Sequence, residues 1–420
     1  MSLLCNINSL KDEEIKLINK TLKLKLEQKY GYAAPKYFLA FDILNNSQLS
    51  LPFSFGKTHL NLKRRGRNEY TGTNLKFKGV LRDEQQQVEK EAINILNKRG
   101  SILLSMYCGF GKTITSISIA LKIKLKTLII VNKIVLINQW EQSINQFCPE
   151  AIVQKLKPKC SKENADFYIV NAINVEKFSD NFFHDIGVVI VDEAHLIMAE
   201  RLSKSLRNIF PRYLLGLSAT PYRPDGLNDL LTFYFGKRKI IRELQREHIV
   251  YKVTTKFKPT IEMAQNGRVN WGVVLDSQAN NVKRNELIID LVKHFKDRTI
   301  LILVKRIDQA KYLIERLEES KEDVTSLIGS KQTFCETSRI LVGTSSKVGT
   351  GFDHPKLDTL LLASDLQEYF IQYLGRCMRR KDIIPYIIDI VDDYSLFKKH
   401  YNTRKNIYMK HGGRIVDFKI

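Results

Sequence analysis

Negative charge is in short supply in this chain of 420 residues: 45 Asp and Glu stand against 67 Lys and Arg, for a formal net charge of +22. That imbalance favours a polyanionic partner, of which nucleic acid is the commonest, although a merely soluble basic protein would carry it too. Cysteine is sparse and badly spaced for chemistry. Six occur, at 5, 108, 148, 160, 335 and 377, and no two are separated by only two residues. The spacing offers neither a zinc knuckle nor a redox pair, and free thiols in a reducing compartment are expected. Long apolar runs are missing: none approaches the ~18 residues of a membrane span. The amino-terminal stretch MSLLCNINSLKDEE lacks the basic region and apolar core of a signal peptide. A soluble intracellular protein with no membrane partner is expected. Low-complexity tracts and short solenoid repeats are absent as well. What remains is a hydrophobic fraction of 44%, ordinary for a globular chain, in a length that suits two or three domains.

Residues 1–75 differ in texture from the rest and form the first expected domain. KDEEIKLINKTLKLKLEQK has the spacing of an amphipathic helix, and KYFLAFDIL, QLSLPFSF and THLNLKR have the alternation of short strands. The basic cluster Lys63 to Arg67 suits a solvated loop or a phosphate contact equally well. From 76 to 237, short apolar runs alternate with helical patterns: SILLSMY, TLIIVN, FYIVNA, VVIVDEAH. From 238 to 420 the pattern returns with TILILVK, RILVGT, LDTLLLAS and YIIDIVDD as strands, and KRNELIIDLVKHFKD and IDQAKYLIERLEES as helices. Runs of this kind suit strands buried on both faces of a parallel sheet. The expected fold class is α/β: two parallel-sheet domains in tandem behind a small α+β accessory domain.

Gly-Lys-Thr occurs twice, at Gly56 and at Gly111. A phosphate loop must leave a buried strand and enter a helix, so that backbone N–H groups and the helix dipole face the anion. The copy at Gly56 follows a proline-containing run and precedes HLNLKRR, which reads as a turn between strands. The copy at Gly111 follows SILLSMY. The segment after it, TITSISIALKIKLK, fits both periods: Ile117, Ile119, Leu121, Ile123 and Leu125 alternate, whereas Ile114, Ile117 and Leu121 share a helical face. A helix is expected, because a strand would leave the loop amides undirected. The full pattern would carry an earlier glycine where Met106 stands. In this loop Lys112 would meet the β- and γ-phosphates of a nucleotide and Thr113 a magnesium ion.

Eighty residues beyond Lys112, the run VVIVDEAH brings Asp192 and Glu193 to the end of an apolar strand. Carboxylates there lie at the sheet edge where nucleotides bind: Asp192 for magnesium through water, Glu193 to polarise the attacking water. LLGLSATPYRPDG follows, with Ser218 and Thr220. LRDEQ places Gln85 ahead of the loop, where its amide can address the adenine edge. In the second domain GTSSKVGTGFDHP carries Gly351 and Asp353, and QYLGRCMRR carries Gln372, Gly375, Arg376 and Arg379. Two arginines three apart share a helical face. Opposite a phosphate loop they would neutralise charge on the transferred phosphoryl group.

Taken in order, these pieces resemble the superfamily 2 helicases and translocases of the DEAH type. LRDEQ, NQW (Asn138 to Trp140), LSATPYRPDG and the pair Arg284-Asn285 are most similar to the XPB, UvsW and poxvirus transcript-release branch, over about residues 78 to 395. The resemblance implies two RecA-like domains, ATP and Mg2+. Gln85 would recognise adenine, and Gly109, Gly111, Lys112 and Thr113 would hold phosphates and metal. Asp192 and Glu193 would serve metal and hydrolysis. His195, Ser218 and Thr220 would couple that site to strand movement. Gly351, Asp353, Gln372, Arg376 and Arg379 would complete the cleft from the second domain. Thr350 stands where many relatives carry an acid.

The expected mechanism is a cleft that closes on ATP and reopens after hydrolysis, each domain gripping nucleic acid in turn. Candidate grips are Lys133, Trp140 and Val170 to Ala172 in the first domain, and Lys305, Arg306, Thr344 and Ser345 in the second. DDYSLFKKHYNTRKNIYMKHGG reads as a closing helix whose Lys, Arg and Tyr face could follow phosphates or simply face solvent. The favoured reading is a monomeric DNA helicase or translocase of viral transcription or repair, in host cytoplasm or virion, acting with a transcription complex. An RNA helicase and a nucleotide-gated clamp with little turnover are the alternatives.

Overall fold

Continuous apolar runs give central strands here because both faces of each sheet are covered. The computed structural model describes the chain apart from residues 26–36, 46, 180, 199–202, 204–205, 220–226, 266, 332, 350–351, 353, 367–369 and 420. The chain divides into two units, Met1–Met106 with Phe110–Arg242, and Tyr107–Gly109 with Glu243–Ile420.

The first unit opens with β1 (Ser2–Asn6), α1 (Asp12–Leu22), β2 (Lys23–Lys25), β3 (Tyr37–Leu39), β4 (Asp42–Asn45), β5 (Gln48–Pro52) and α2 (Phe53–His59). β1, β5 and β4 form an antiparallel sheet, and β2 pairs with β3. It continues with α3 (Asp83–Arg99), β6 (Ser101–Met106), α4 (Lys112–Ile123), β7 (Thr127–Val131), α5 (Ile134–Phe147), β8 (Val153–Leu156), β9 (Phe167–Asn171), β10 (Val188–Val191), α6 (Ala194–Ile197), β11 (Tyr213–Ser218), α7 (Asn228–Phe235) and β12 (Lys239–Arg242). Its seven strands run parallel in the order β12-β6-β11-β10-β7-β9-β8.

The second unit contains β13 (His248–Thr254), α8 (Trp271–Ala279), α9 (Val282–His294), β14 (Ile300–Val304), α10 (Ile307–Glu319), β15 (Val324–Leu327), β16 (Ile340–Thr344), α11 (Ser345–Val348), β17 (Thr359–Leu362), α12 (Phe370–Leu374), β18 (Tyr386–Val391), α13 (Ser395–Lys410) and β19 (Gly413–Phe418). Its strands are also parallel, ordered β15-β16-β14-β17-β18-β13-β19. The α/β class with two seven-stranded parallel sheets and a small antiparallel region near the amino terminus is as expected from the run lengths.

Several local expectations are corrected. Gly56, Lys57 and Thr58 lie inside α2, not in a turn between strands, and Leu60 to Arg64 forms no strand. Pro52 fixes the backbone before the helix, and Phe53 and Phe55 are buried. The Phe55 ring meets that of Phe233 edge-on, with centroids 5.9 Å apart. The basic cluster is structural: Arg64 donates to the carbonyls of Leu96 at 3.1 Å and Asn97 at 3.0 Å, and Arg67 to that of Ile123 at 2.6 Å. These bonds satisfy helix-end carbonyls that the helices themselves leave open. The segment after the second Gly-Lys-Thr is a helix, α4. Residues Thr115 to Leu121 and Ile123 are all buried, so helical patterning is erased by packing on nearly every side.

The carboxyl-terminal helix is present, but its basic and aromatic face is not a surface. Arg404 donates to Asp389 Oδ2 from Nε at 2.9 Å and to Oδ1 from Nη2 at 2.8 Å, and reaches Asp365 Oδ1 at 3.2 Å. Tyr408 also donates to Asp389, at 2.7 Å. Asp392 lies off the helix start and accepts from Arg284 Nε at 2.9 Å and Gln278 Nε2 at 2.6 Å. A strand, β19, follows where only a stop was anticipated. All six cysteines are free thiols. No helix among the described residues is long and apolar enough to cross a membrane.

Candidate active site

The carboxyl ends of β6, β11 and β10, three neighbouring strands, carry most of the expected first-unit residues. β6 ends at Met106, and α4 begins at Lys112. Gly109 and Gly111 have φ of +89° and +95°, a region that side chains with a Cβ rarely enter. A Cβ on Gly111 would stand 2.3 Å from Gln85 Nε2. The turn thus brings backbone close to a side chain while pointing the first turn of α4 at the sheet edge.

Gln85 braces this turn. Its Nε2 donates to the Phe110 carbonyl at 2.7 Å, and its Oε1 accepts the Arg82 N–H at 2.9 Å. Arg82 also donates to the Phe110 carbonyl. Each end of the amide retains capacity for one further bond. Lys112 folds over the loop, with Nζ 3.1 Å from the Met106 carbonyl. Thr113 occupies the next position in the first turn of α4.

Asp192 follows β10 directly and is buried. Its Oδ2 accepts the Trp140 indole N–H at 2.9 Å, and its Oδ1 accepts the Glu193 backbone N–H at 2.9 Å. Burial and the neighbouring Glu193 charge push the Asp192 carboxyl up to about 6, against the opposing pull of the Trp140 hydrogen bond and the Lys112 charge. Glu193 has φ +48°, a left-handed conformation that costs a non-glycine residue of order 1 kcal/mol and is found at functional sites. Its Oε2 is buried, lies 3.5 Å from His195 Nδ1, and makes no hydrogen bond to a described residue. His195 Nδ1 is 2.9 Å from Ser218 Oγ, at the end of β11. A chain of polar groups therefore runs from Trp140 through Asp192, Glu193 and His195 to Ser218. Thr220 lies outside the described residues.

Trp140 is 1% exposed and cannot stack on a nucleic-acid base. Its role as a carboxylate partner was missed, although NQW marked the position; only the fold brings α5 over the end of β10. Val170, Asn171 and Ala172 are likewise buried. Lys133 caps the start of α5.

In the second unit Gln372 sits on α12 and is buried, and its Nε2 has no hydrogen-bond partner among the described residues. Arg376 donates to the carbonyls of Gly349, at 3.2 Å, and Phe352. That ties it to the glycine–aspartate segment, whose Gly351 and Asp353 lie outside the described residues. Burial lowers the pKa of the Arg379 guanidinium below its usual range. Of the expected grips here, Thr344 is buried, and Arg306 is engaged by Asp276 at 2.7 Å and the Gly272 carbonyl at 3.0 Å.

The site suits a nucleotide with a magnesium ion. Glycine-shaped backbone precedes a helix, a lysine crosses it, hard oxygen donors are available at Thr113 and Asp192, and a buried Glu193 oxygen stands unpartnered. Comparison with known proteins agrees. Residues 78–223 match the family described as "Type III restriction enzyme, res subunit". Over 447 aligned residues, covering all of both chains, the sequence is 42% identical to "Putative helicase 161L" of Invertebrate iridescent virus 6. The chain belongs to the superfamily 2 helicases. It is also 28% identical to "Putative ATP-dependent RNA helicase L396" of Acanthamoeba polyphaga mimivirus, over 96% of this chain and 83% of that one. Among solved structures, S. cerevisiae Dbp5 bound to RNA and ADP BeF3 shares the fold, with a TM-score of 0.57 at 14% identity over 79% of this helicase and 89% of Dbp5.

Proposed function

We propose that this helicase couples ATP hydrolysis to movement along nucleic acid. The observation that carries the reading is the buried Asp192–Glu193 pair beside the Gly109–Lys112 turn, with Trp140 holding one acid and the other 3.5 Å from His195 with no hydrogen-bond partner for its Oε2 among the described residues.

Lys112 and the loop amides bind the terminal phosphates, and the spare capacity of Gln85 addresses adenine. Thr113 and Asp192 are the residues that would hold a magnesium ion, which would supply charge neutralisation at the phosphates. Glu193 orients the attacking water and accepts its proton. Gln372, Gly351 and Asp353 contribute from the second unit, and Arg376 and Arg379 neutralise charge developing on the γ-phosphate. His195 and Ser218 transmit the state of Glu193 to the strand ends beyond.

DNA is the first polymer to test, in transcription or repair, given the excess of positive charge and the branch resemblance. RNA is a specific second reading, favoured by the name of the mimivirus relative. The deciding experiment is ATP turnover with duplex DNA, single-stranded DNA and RNA in parallel. Acceleration by one of them establishes a motor on that polymer. Equal, slow turnover in all would leave a clamp and overturn the reading.

A further inference from the structure

The Gly-Lys-Thr at Gly56 has no place in the nucleotide site, yet it contributes to the wall of a cavity. The cavity has a volume of about 260 Å³ and opens at the start of β6, marked by Ser101. It therefore sits at the amino-terminal edge of the first parallel sheet, the edge opposite Met106 and the candidate nucleotide site. Its lining includes four cations, Lys57, Lys98, Arg99 and Arg238, together with the hydroxyls of Ser54 and Thr58, and no carboxylate. The nearest acid bonded to any of them is Glu91, 3.7 Å from Arg238 Nη2. Lys57, Lys98 and Arg99 form no ion pair with any described residue. Phe235 supplies an apolar floor, and Gly236, with φ +95°, lets the chain turn beside Ser54.

We propose that this cavity binds a phosphate group of a nucleic-acid strand, a contact separate from those at the nucleotide-binding edge. It rests on the reading of the chain as a nucleic-acid motor. Four like charges around one concavity repel each other, and a phosphodiester relieves that repulsion while the hydroxyls donate to its oxygens. A competing explanation exists: α2, α3 and α7 all end nearby, and basic residues also complement helix carboxyl ends. That explanation assigns the cations to stability alone and gives them no part in binding.

The experiment compares the full chain with the variant carrying Lys57→Gln, Lys98→Gln, Arg99→Gln and Arg238→Gln. Binding of a fluorescent 30-mer, as DNA and as RNA, is measured across salt concentrations. Each phosphate contact contributes about 0.9 to the salt slope on duplex and about 0.7 on single strands. The expected result is a slope shallower by about 0.9 on duplex or about 0.7 on single strands, affinity weaker by up to ~10-fold near 0.1 M salt, and unchanged ATP turnover without nucleic acid. A slope identical to that of the unmodified chain overturns the proposal, whatever happens to the melting temperature. Inorganic phosphate is the second arm. If millimolar phosphate protects the unmodified chain thermally but not the variant, while the oligonucleotide slopes coincide, the site takes free phosphate and the strand contact is wrong. If the unmodified chain binds no oligonucleotide at all, the motor reading itself fails. Lys98→Glu, a single exposed change, provides the same comparison should the fourfold variant not fold.

Discussion

The indole N–H of Trp140 lies 2.9 Å from Oδ2 of Asp192, and both side chains are buried. A ring on α5 thus fixes the orientation of a carboxylate at the end of β10. A hydrogen bond to a charged group is worth roughly 1.5–3 kcal/mol, and ~1.4 kcal/mol is a tenfold change in rate. Trp140→Phe keeps the apolar volume and removes the donor. The expected outcome is a kcat about tenfold to a hundredfold lower, with KM for ATP raised at low magnesium and recovering as magnesium is added. A merely structural role would lower the melting temperature and leave the magnesium dependence untouched.

Glu193 is held in a left-handed backbone conformation with Oε2 unpartnered. Glu193→Gln keeps shape and removes the base. Positioned proton transfer contributes about 10²–10⁴ in rate, so turnover should fall by that order. ATP binding, followed by equilibrium titration of a fluorescent analogue, should persist. Loss of both together would mean that Glu193 supports the loop rather than the chemistry.

Arg376 and Arg379 are each tested by replacement with alanine. Arg376 is bonded to the carbonyls of Gly349 and Phe352, so Arg376→Ala should lower both ATP turnover and the melting temperature. Arg379→Ala should lower turnover by about 10³ or more. Stopped-flow phosphate release and differential scanning calorimetry on the two variants provide the comparison. Wild-type turnover in Arg379→Ala would remove it from the proposed site.

Much of this organisation is legible in the residues themselves. Strands such as Val188–Val191 and Ile300–Val304 announce themselves because burial on both faces leaves no polar position. The order of Gln85, Gly111, Lys112 and Asp192 along the chain follows from strand ends converging on one sheet edge, a regularity of parallel sheets. Other features depend on long-range packing and leave no local trace. Trp140 looks like a base-stacking ring until α5, which carries it, turns it inward against Asp192. Arg404 and Tyr408 have the spacing of a solvated basic face, yet Asp389, on β18, draws them inward. The alternation in HLNLKR mimics a strand, but Arg64 spends its guanidinium on the end of α3, and the segment follows that anchor.

Arg404 leads to a stability prediction. It is bonded to Asp389 through two nitrogens and to Asp365 through a third contact, within a buried cluster that includes His400, 2.6 Å from Asp365. Removing one partner of a buried pair leaves uncompensated charge and costs roughly 3–5 kcal/mol. Arg404→Ala should therefore lower the unfolding free energy by that amount in urea titration. Below its melting temperature the salt slope of nucleic-acid binding should not change, because the guanidinium faces the core. A shallower slope would restore a phosphate-contacting face to α13.

His248 gives a pH dependence with a definite sign. Burial lowers its pKa from 6.5; its Nδ1–H donates to the Arg246 carbonyl at 2.8 Å, and its Nε2 is buried with no hydrogen-bond partner among the described residues. The folded chain therefore keeps the ring neutral below pH 6.5, where the unfolded chain takes up a proton. With more protons bound in the unfolded state, stability falls as pH falls through that window, and the His248 contribution is complete above it. His248→Asn retains a side-chain N–H toward Arg246 and does not titrate. Between pH 7.5 and 5.5 the melting temperature of the unmodified chain should drop further than that of the variant. Parallel curves would mean that the ring accepts its proton in the folded state as readily as in the unfolded one, and that Nε2 finds a partner on charging.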